Sequence, residues 1–216
     1  MLSIPFYKNL KDNSHCFQSC LKMLLKYYFP KKQYSFSYLD KKTSHKKNKW
    51  TWNSAPLLFL EKLGFTTINI ENFDYKQFAQ FGDEYLKMLF TEEIFKEQKK
   101  YSDLKKERLL AKKLIKNKKI NLQRRYAQFN ELAKLFKKKY LLLVPINAMV
   151  LDKKNGYSSH IVLITDINKK QIIFHDPGLP PYKNRIVTTQ SFKKAMQYPY
   201  KEAASIIAIK YIKKGA

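Results

Sequence analysis

Cys16, His160 and Asp176 are the residues whose chemical types and order along the chain are suited to nucleophilic catalysis. Cys16 lies in the first turn of a predicted helix, where the helix dipole and the free amide groups stabilise a thiolate. A thiolate nucleophile needs a base, usually histidine, and a further group that orients this histidine. His160 begins a predicted strand and Asp176 follows the next one, so the three residues predict a nucleophile, a base and an orienting acid.

The spacing of His160 and Asp176 gives a geometric test of this interpretation. Residues 160–167 and 171–175 predict two strands joined by a polar turn. In such a hairpin the numbers of paired residues add up to about 337–339, so that Asp176 lies within a residue or so of facing His160. A cysteine at a helix start, a histidine about 140 residues later and an acid soon afterwards is the order and spacing of papain-like enzymes.

Hydrophobic periodicity predicts the elements that must position these side chains. Residues 31–53 are expected to form a loop with at most a short helix, and residues 74–139 are expected to be mostly helical. The other predicted helices are 15–28, 54–63 and 191–197, and the predicted strands are 65–70, 140–146, 160–167, 171–175 and 204–212. Helices come first and the sheet last, which is an α+β pattern.

Several short motifs follow one another in the order of a known family. They are Ile4-Pro5-Phe6-Tyr7, then Cys16 with Cys20, Leu21 and Met23, then Leu63-Gly64-Phe65, then the run from His160 to Asp166, and finally Asp176-Pro177. In these motifs the chain resembles the bacteriocin-processing peptidases, also called double-glycine leader peptidases, of the papain-like clan. The resemblance covers nearly the whole chain except about residues 83–128, which we interpret as a basic helical insertion.

The resemblance implies a single papain-like peptidase domain over residues 1–216, with N-terminal helices packed on a C-terminal antiparallel sheet. It implies a cysteine peptidase that acts on a peptide or protein substrate through Cys16, His160 and Asp176, without a cofactor. Two departures qualify this expectation: Phe17 replaces the usual glycine, and Leu10 stands where the family has an oxyanion-binding glutamine. The nearest amides are Asn9 and Asn13, and Asn9 is the candidate for the missing donor.

The composition is that of a folded and strongly basic protein. The 216 residues include 43 Lys+Arg and 17 Asp+Glu, which gives a net charge of +26, while 44% hydrophobic residues exclude a wholly disordered chain. We expect no signal peptide and no membrane span, and therefore a cytoplasmic protein. The charge attracts anions, so an anionic partner at the insertion is possible, and nucleic acid is a less favoured partner because no nucleic-acid motif accompanies the charge.

Some of these residues also have simpler interpretations. Cys20 is expected to be a small buried residue, and His45 to be exposed in a lysine-rich loop. The spacing of His15, Cys16, Cys20 and His175 does not predict a metal site.

The alternative function is a catalytically degenerate papain-like domain that binds a peptide or an anionic partner through its basic insertion.

Overall fold

The computed structural model describes residues 1–212 and contains a seven-stranded sheet with helices on both faces. The helices are α1 (Cys16–Tyr28), α2 (Phe36–Thr43), α3 (Ser54–Lys62), α4 (Tyr75–Phe81), α5 (Asp83–Leu89), α6 (Glu92–Tyr101), α7 (Leu104–Lys116), α8 (Phe129–Lys137), α9 (Ala148–Leu151) and α10 (Thr189–Met196). The strands are β1 (Phe65–Glu71), β2 (Ile120–Arg124), β3 (Leu141–Asn147), β4 (Ser159–Ile167), β5 (Gln171–Asp176), β6 (Tyr182–Thr188) and β7 (Ile206–Tyr211).

The strands follow the order β2-β1-β7-β3-β4-β5-β6 across the sheet, and neighbours pair antiparallel except β1 and β2, which are parallel. The predicted α+β class is confirmed. The β4–β5 hairpin also has the predicted register, since Leu163 pairs with His175 and Ile164 with Phe174.

The hydrophobic core consists of two clusters, one on each face of the sheet. Strand β3 contributes to both, because Leu141 and Leu143 face the cluster of α1, α3 and α4, while Leu142 and Val144 face the cluster of α8 and α10. A strand that is covered on both faces is expected to be an uninterrupted apolar run, as residues 140–146 are. None of the helices within residues 1–212 is long and apolar enough to cross a membrane.

Strands β2 and β6 and the four-residue helix α9 were not predicted from the sequence. Residues 74–139 are not all helical, because β2 lies at the sheet edge and pairs with β1. Its five residues alternate too briefly to stand out from the neighbouring helical pattern. Strand β6 was also missed, since it is the other edge strand and its mostly exposed residues show no apolar alternation. Residues 36–43 form the eight-residue helix α2, in line with the expected loop with at most a short helix, and the Ser35 side chain accepts from the backbone N–H of Tyr38.

The segment interpreted as an insertion contains α5, α6, α7 and β2. Helix α7 packs against the main body through Leu104, Ala111 and Leu114, which belong to the same buried cluster as α1. Its other positions are rich in exposed lysine. The segment therefore extends one edge of the sheet and carries much of the positive charge on its outer face.

Candidate active site

Helix α1 fixes the position of Cys16 at its first residue. Cys20, Leu21, Leu24 and Leu25 are fully buried on the helix face that packs against the sheet. Burying each leucine contributes about 1.5–3 kcal/mol, so the helix is held firmly. The first backbone N–H groups of a helix have no partner within it, which leaves that of Cys16 pointing out of the helix end beside its own thiol.

His160 and Asp176 lie side by side on the neighbouring strands β4 and β5. The Nε2 atom of His160 is 2.7 Å from Oδ1 of Asp176, and both side chains are almost completely buried. The pairing of β4 with β5 is shifted at a bulge between Ile164 and Asp166, and that of β5 with β6 is shifted between Phe174 and Asp176. Because Nε2 is engaged by the carboxylate, Nδ1 is the ring nitrogen left for another partner.

The thiol of Cys16 lies close enough to the imidazole of His160 for each group to shift the pKa of the other. Burial raises the pKa of the Cys16 thiol, but the neighbouring His160 outweighs it, so that this pKa lies below its usual value. Burial lowers the pKa of His160, and the neighbouring Asp176 and Cys16 overcome this and raise it to about 10. The two shifts favour a thiolate–imidazolium pair over a neutral thiol and imidazole.

Arg185 on β6 supports Asp176 from the side opposite His160. Its guanidinium nitrogens are 2.9 Å from Oδ2 of Asp176 and 2.5 Å from Oδ1 of Asp152. Burial raises the pKa of Asp176, but His160, the backbone N–H of Gly178 and Arg185 together lower it below its usual range. Sequence reasoning missed Arg185 because β6 was not predicted. The signal that was available was its rarity, since arginine is scarce in this lysine-rich chain.

Gly178 follows Asp176 in the loop after β5 and leaves no room for a side chain. A Cβ atom there would lie 2.9 Å from Oδ1 of Asp176 and 3.2 Å from Nε2 of His160. The backbone N–H of Gly178 donates to the same Oδ1 atom at 3.0 Å. The loop therefore packs directly against the hydrogen-bonded His160 and Asp176 side chains.

Asn9 organises the loop that precedes Cys16. Its Oδ1 accepts from the backbone N–H groups of His15 at 2.8 Å and Leu10 at 2.9 Å, while its Nδ2 donates to Oδ1 of Asn13 at 3.1 Å. The backbone N–H of Asn9 also donates to the carbonyl of Pro177 at 2.8 Å, which joins this loop to the one that carries Asp176. The carboxamide of Asn9 is thus engaged inside its own loop, and its assignment as an oxyanion donor remains a prediction.

The remaining cysteine and two of the other histidines lie outside the candidate active site. Cys20 is fully buried and donates its S–H to the carbonyl of Ile161 at 3.5 Å, in line with a small core residue. His175 is buried beside the carbonyl of Ile4, with 2.9 Å between Nε2 and that oxygen. His45 is not the exposed residue that was expected, because its ring packs against the ring of His15.

The helix that bears Cys16 packs on the sheet that bears His160 and Asp176, and this arrangement is the predicted papain-like fold. A solved structure with this fold is the peptidase domain of Streptococcus ComA, which is described as a bi-functional ABC transporter involved in a quorum-sensing pathway. The match has a TM-score of 0.50 and 14% identity, and covers 96% of this chain and 98% of that one. No family model matches the sequence, and no curated protein matches it. At this identity the likeness concerns the fold.

Proposed function

We propose that the protein is a cysteine peptidase that cleaves a peptide or protein substrate with Cys16, His160 and Asp176. The observation that carries this proposal is the 2.7 Å hydrogen bond between the His160 imidazole and the Asp176 carboxylate, beside a Cys16 thiol whose pKa the neighbouring His160 lowers. The position of Cys16 at the start of a well-packed helix adds to it, because that position stabilises a thiolate.

The reaction follows from the roles that this arrangement allows. The Cys16 thiolate attacks the scissile carbonyl carbon, and His160 gives the proton it holds to the leaving amine, which departs as the acyl-enzyme forms. A water molecule then attacks the acyl-enzyme while His160 removes its proton, and the product acid leaves as the Cys16 thiolate and the His160 imidazolium are restored. Asp176 keeps the imidazole oriented and stabilises its positive form.

The negative oxygen formed during each attack needs donors, and the backbone N–H of Cys16 is one of them. The site lacks an obvious second donor, because Leu10 has no side-chain amide and Nδ2 of Asn9 is hydrogen-bonded to Asn13. Loss of a single such donor costs about 100–1000-fold in rate in known cases. We therefore propose a slow peptidase rather than an inactive one.

The departure at Phe17 does not oppose catalysis. Its side chain is only 5% exposed and belongs to the buried cluster against which Cys16 also packs. The hydrophobic core therefore accommodates the larger side chain of Phe17.

A second candidate function is the degenerate domain that binds a peptide or an anionic partner. The engaged carboxamide of Asn9 is the observation that favours it, together with the exposed lysines of α6 and α7. Such a domain retains the fold and the partner surface while its rate of peptide cleavage is negligible.

Turnover of a mixed peptide library, read by mass spectrometry, separates the two functions. The peptidase produces new peptide termini that disappear in the Cys16→Ala variant and in the His160→Ala variant. A matched Cys20→Ala variant keeps the cleavage, because Cys20 lies in the core. Equal, negligible cleavage by the parent and by Cys16→Ala refutes the peptidase and leaves the binding function.

A further inference from the structure

A second cluster of ligand-type side chains lies next to the nucleophile but outside the catalytic arrangement. It consists of His15 just before α1, Asp40 in α2 and His45 in the turn that follows α2. One potential ligand atom from each residue lies within 4.8 Å of the other two. The Nε2 atom of His15 is 3.3 Å from Oδ1 of Asp40, and the rings of His15 and His45 are 4.5 Å apart.

The outer partner of His15 determines which of its nitrogens faces the cluster. Its Nδ1 atom is 3.0 Å from a carboxylate oxygen of Asp12, and a carboxylate accepts hydrogen bonds. A metal bound at Nε2 would leave the proton on Nδ1, where Asp12 accepts it. Nε2 faces the Asp40 carboxylate, with Oδ1 at 3.3 Å and Oδ2 at 3.4 Å.

His45 is held in the same manner. Its Nδ1 atom is 3.1 Å from Oγ1 of Thr51, which also accepts from the side chain of Gln18 at 3.0 Å. The Thr51 hydroxyl has a lone pair for the Nδ1–H that a metal bound at Nε2 would require. Nε2 of His45 faces the cluster, with Oγ of Ser14 at 3.4 Å. A carboxylate on the far nitrogen, as Asp12 is for His15, is a usual outer contact of a metal-binding imidazole.

We propose that Nε2 of His15, Nε2 of His45 and one carboxylate oxygen of Asp40 bind a divalent transition-metal cation such as Zn²⁺. Tetrahedral zinc with bonds of about 2.0–2.1 Å places its ligand atoms roughly 3.3 Å apart, which is the observed separation of His15 Nε2 and Asp40 Oδ1. That Oδ1 atom is buried and has no hydrogen-bond partner within the described part of the chain. Two imidazoles, one carboxylate and a fourth open position are an ordinary zinc ligand set.

The bound cation would tie three separate segments together. His15 is adjacent to Cys16, Asp40 is in α2, and His45 comes after the end of α2. Binding therefore stabilises the folded chain and fixes the loop in front of the nucleophile. The proposed peptidase reaction takes no step through this metal, so the site exists or fails independently of that function.

The test uses the full chain with the Cys16→Ala substitution, so that no thiolate at the catalytic pair competes for metal. Zn²⁺ is titrated into the chelator-treated protein against a chromophoric chelator, and Co²⁺ is added separately for its absorption spectrum. We expect one tight equivalent of Zn²⁺, a tetrahedral Co²⁺ spectrum and a higher melting temperature with metal. Asp40→Asn and His45→Ala should weaken binding about 100-fold, and Thr51→Val, which removes an outer contact, about 10–100-fold.

A matched control is His160→Ala in the same background, which removes another imidazole near Cys16 and should leave zinc binding unchanged. Loss of binding in that control, or unchanged binding in Asp40→Asn and His45→Ala, overturns the proposal, as does the absence of a stoichiometric site. Melting temperatures without metal identify any variant that fails to fold. In that case Thr51→Val, whose side chain keeps its shape, decides the result.

Discussion

Arg185 provides the sharpest prediction because it hydrogen-bonds Oδ2 of Asp176, while His160 hydrogen-bonds Oδ1. We predict that Arg185→Met lowers the free energy of unfolding by about 2–3 kcal/mol, the value of a hydrogen bond between charged and poorly hydrated groups. The side chains of Arg185 and Asp176 are only 15% and 4% exposed, so screening by solvent reduces this figure little. Asp176 keeps its bond to His160, which is why the loss is smaller than that for an isolated buried charge.

Arg124→Met is the matched control for this substitution. Arg124 pairs with Asp74 at 2.6 Å, but its side chain is 64% exposed. Exposed pairs contribute about 0–1 kcal/mol, so this variant should be nearly as stable as the parent protein. Arg185→Lys should recover part of the lost stability, because one ammonium group cannot bridge Asp176 and Asp152 as the guanidinium does.

The dependence on pH identifies the group through which Arg185 acts. The pKa of Asp176 is lower in the folded chain than its ordinary value of 3.8, so its stabilising contribution is present above that value and is lost as pH falls through the folded pKa. Urea unfolding of the parent protein and of Arg185→Met should therefore differ fully at pH 7, and the difference should shrink as pH falls below 3.8. Equal stability of the Arg185→Met and Arg124→Met variants, or a difference that does not change with pH, would refute the reasoning.

Three further changes test separate parts of the structure. Gly178→Ala should lower the rate of Cys16 alkylation at about pH 6.5 by about 100-fold, with a smaller effect on stability. Its Cβ would lie 2.9 Å from Oδ1 of Asp176 and force the His160–Asp176 pair to shift, and a thiol without that support returns to a pKa of about 8.5; an unchanged rate contradicts that packing. Glu107→Gln should stabilise the chain at pH 8 and not at pH 4, measured by urea unfolding. Burial raises the pKa of Glu107 from 4.5 to about 7, and the folded state loses about 3 kcal/mol as pH rises through that interval. Leu10→Gln, which restores the amide of the resembling family, should raise the cleavage rate at least tenfold, and no change in rate would speak against an oxyanion site beside position 10.

The sequence predicted the central elements of the fold because their signals are local and strong. The helix of Cys16 has a clear apolar stripe, and the β4–β5 hairpin has a polar turn between two apolar runs. The position of the turn was enough to predict the register of this hairpin. In the structure Nε2 of His160 lies 2.7 Å from Oδ1 of Asp176. The edge strands β2 and β6 were missed because an edge strand needs little apolar alternation.

The remaining parts of the site depend on contacts between segments that are distant in the sequence. Arg185 reaches Asp176 only because β6 folds back along β5. His45 lies in a lysine-rich segment whose local pattern predicts exposure, and only the packing of α2 beside the start of α1 brings it to His15. Neither arrangement has a spacing or periodicity that the sequence alone displays.

The rate of iodoacetamide alkylation at Cys16, measured against pH by peptide mass spectrometry, tests the thiolate–imidazolium pair most directly. We predict rapid alkylation below about pH 7, where an ordinary thiol with a pKa of about 8.5 is protonated, and loss of this advantage in His160→Ala. Cys20 in the same digest is the internal control, because burial raises its pKa well above the ordinary range and keeps it unreactive. A Cys16 that is inert, or that reacts only near pH 8.5 with or without His160, would contradict the account.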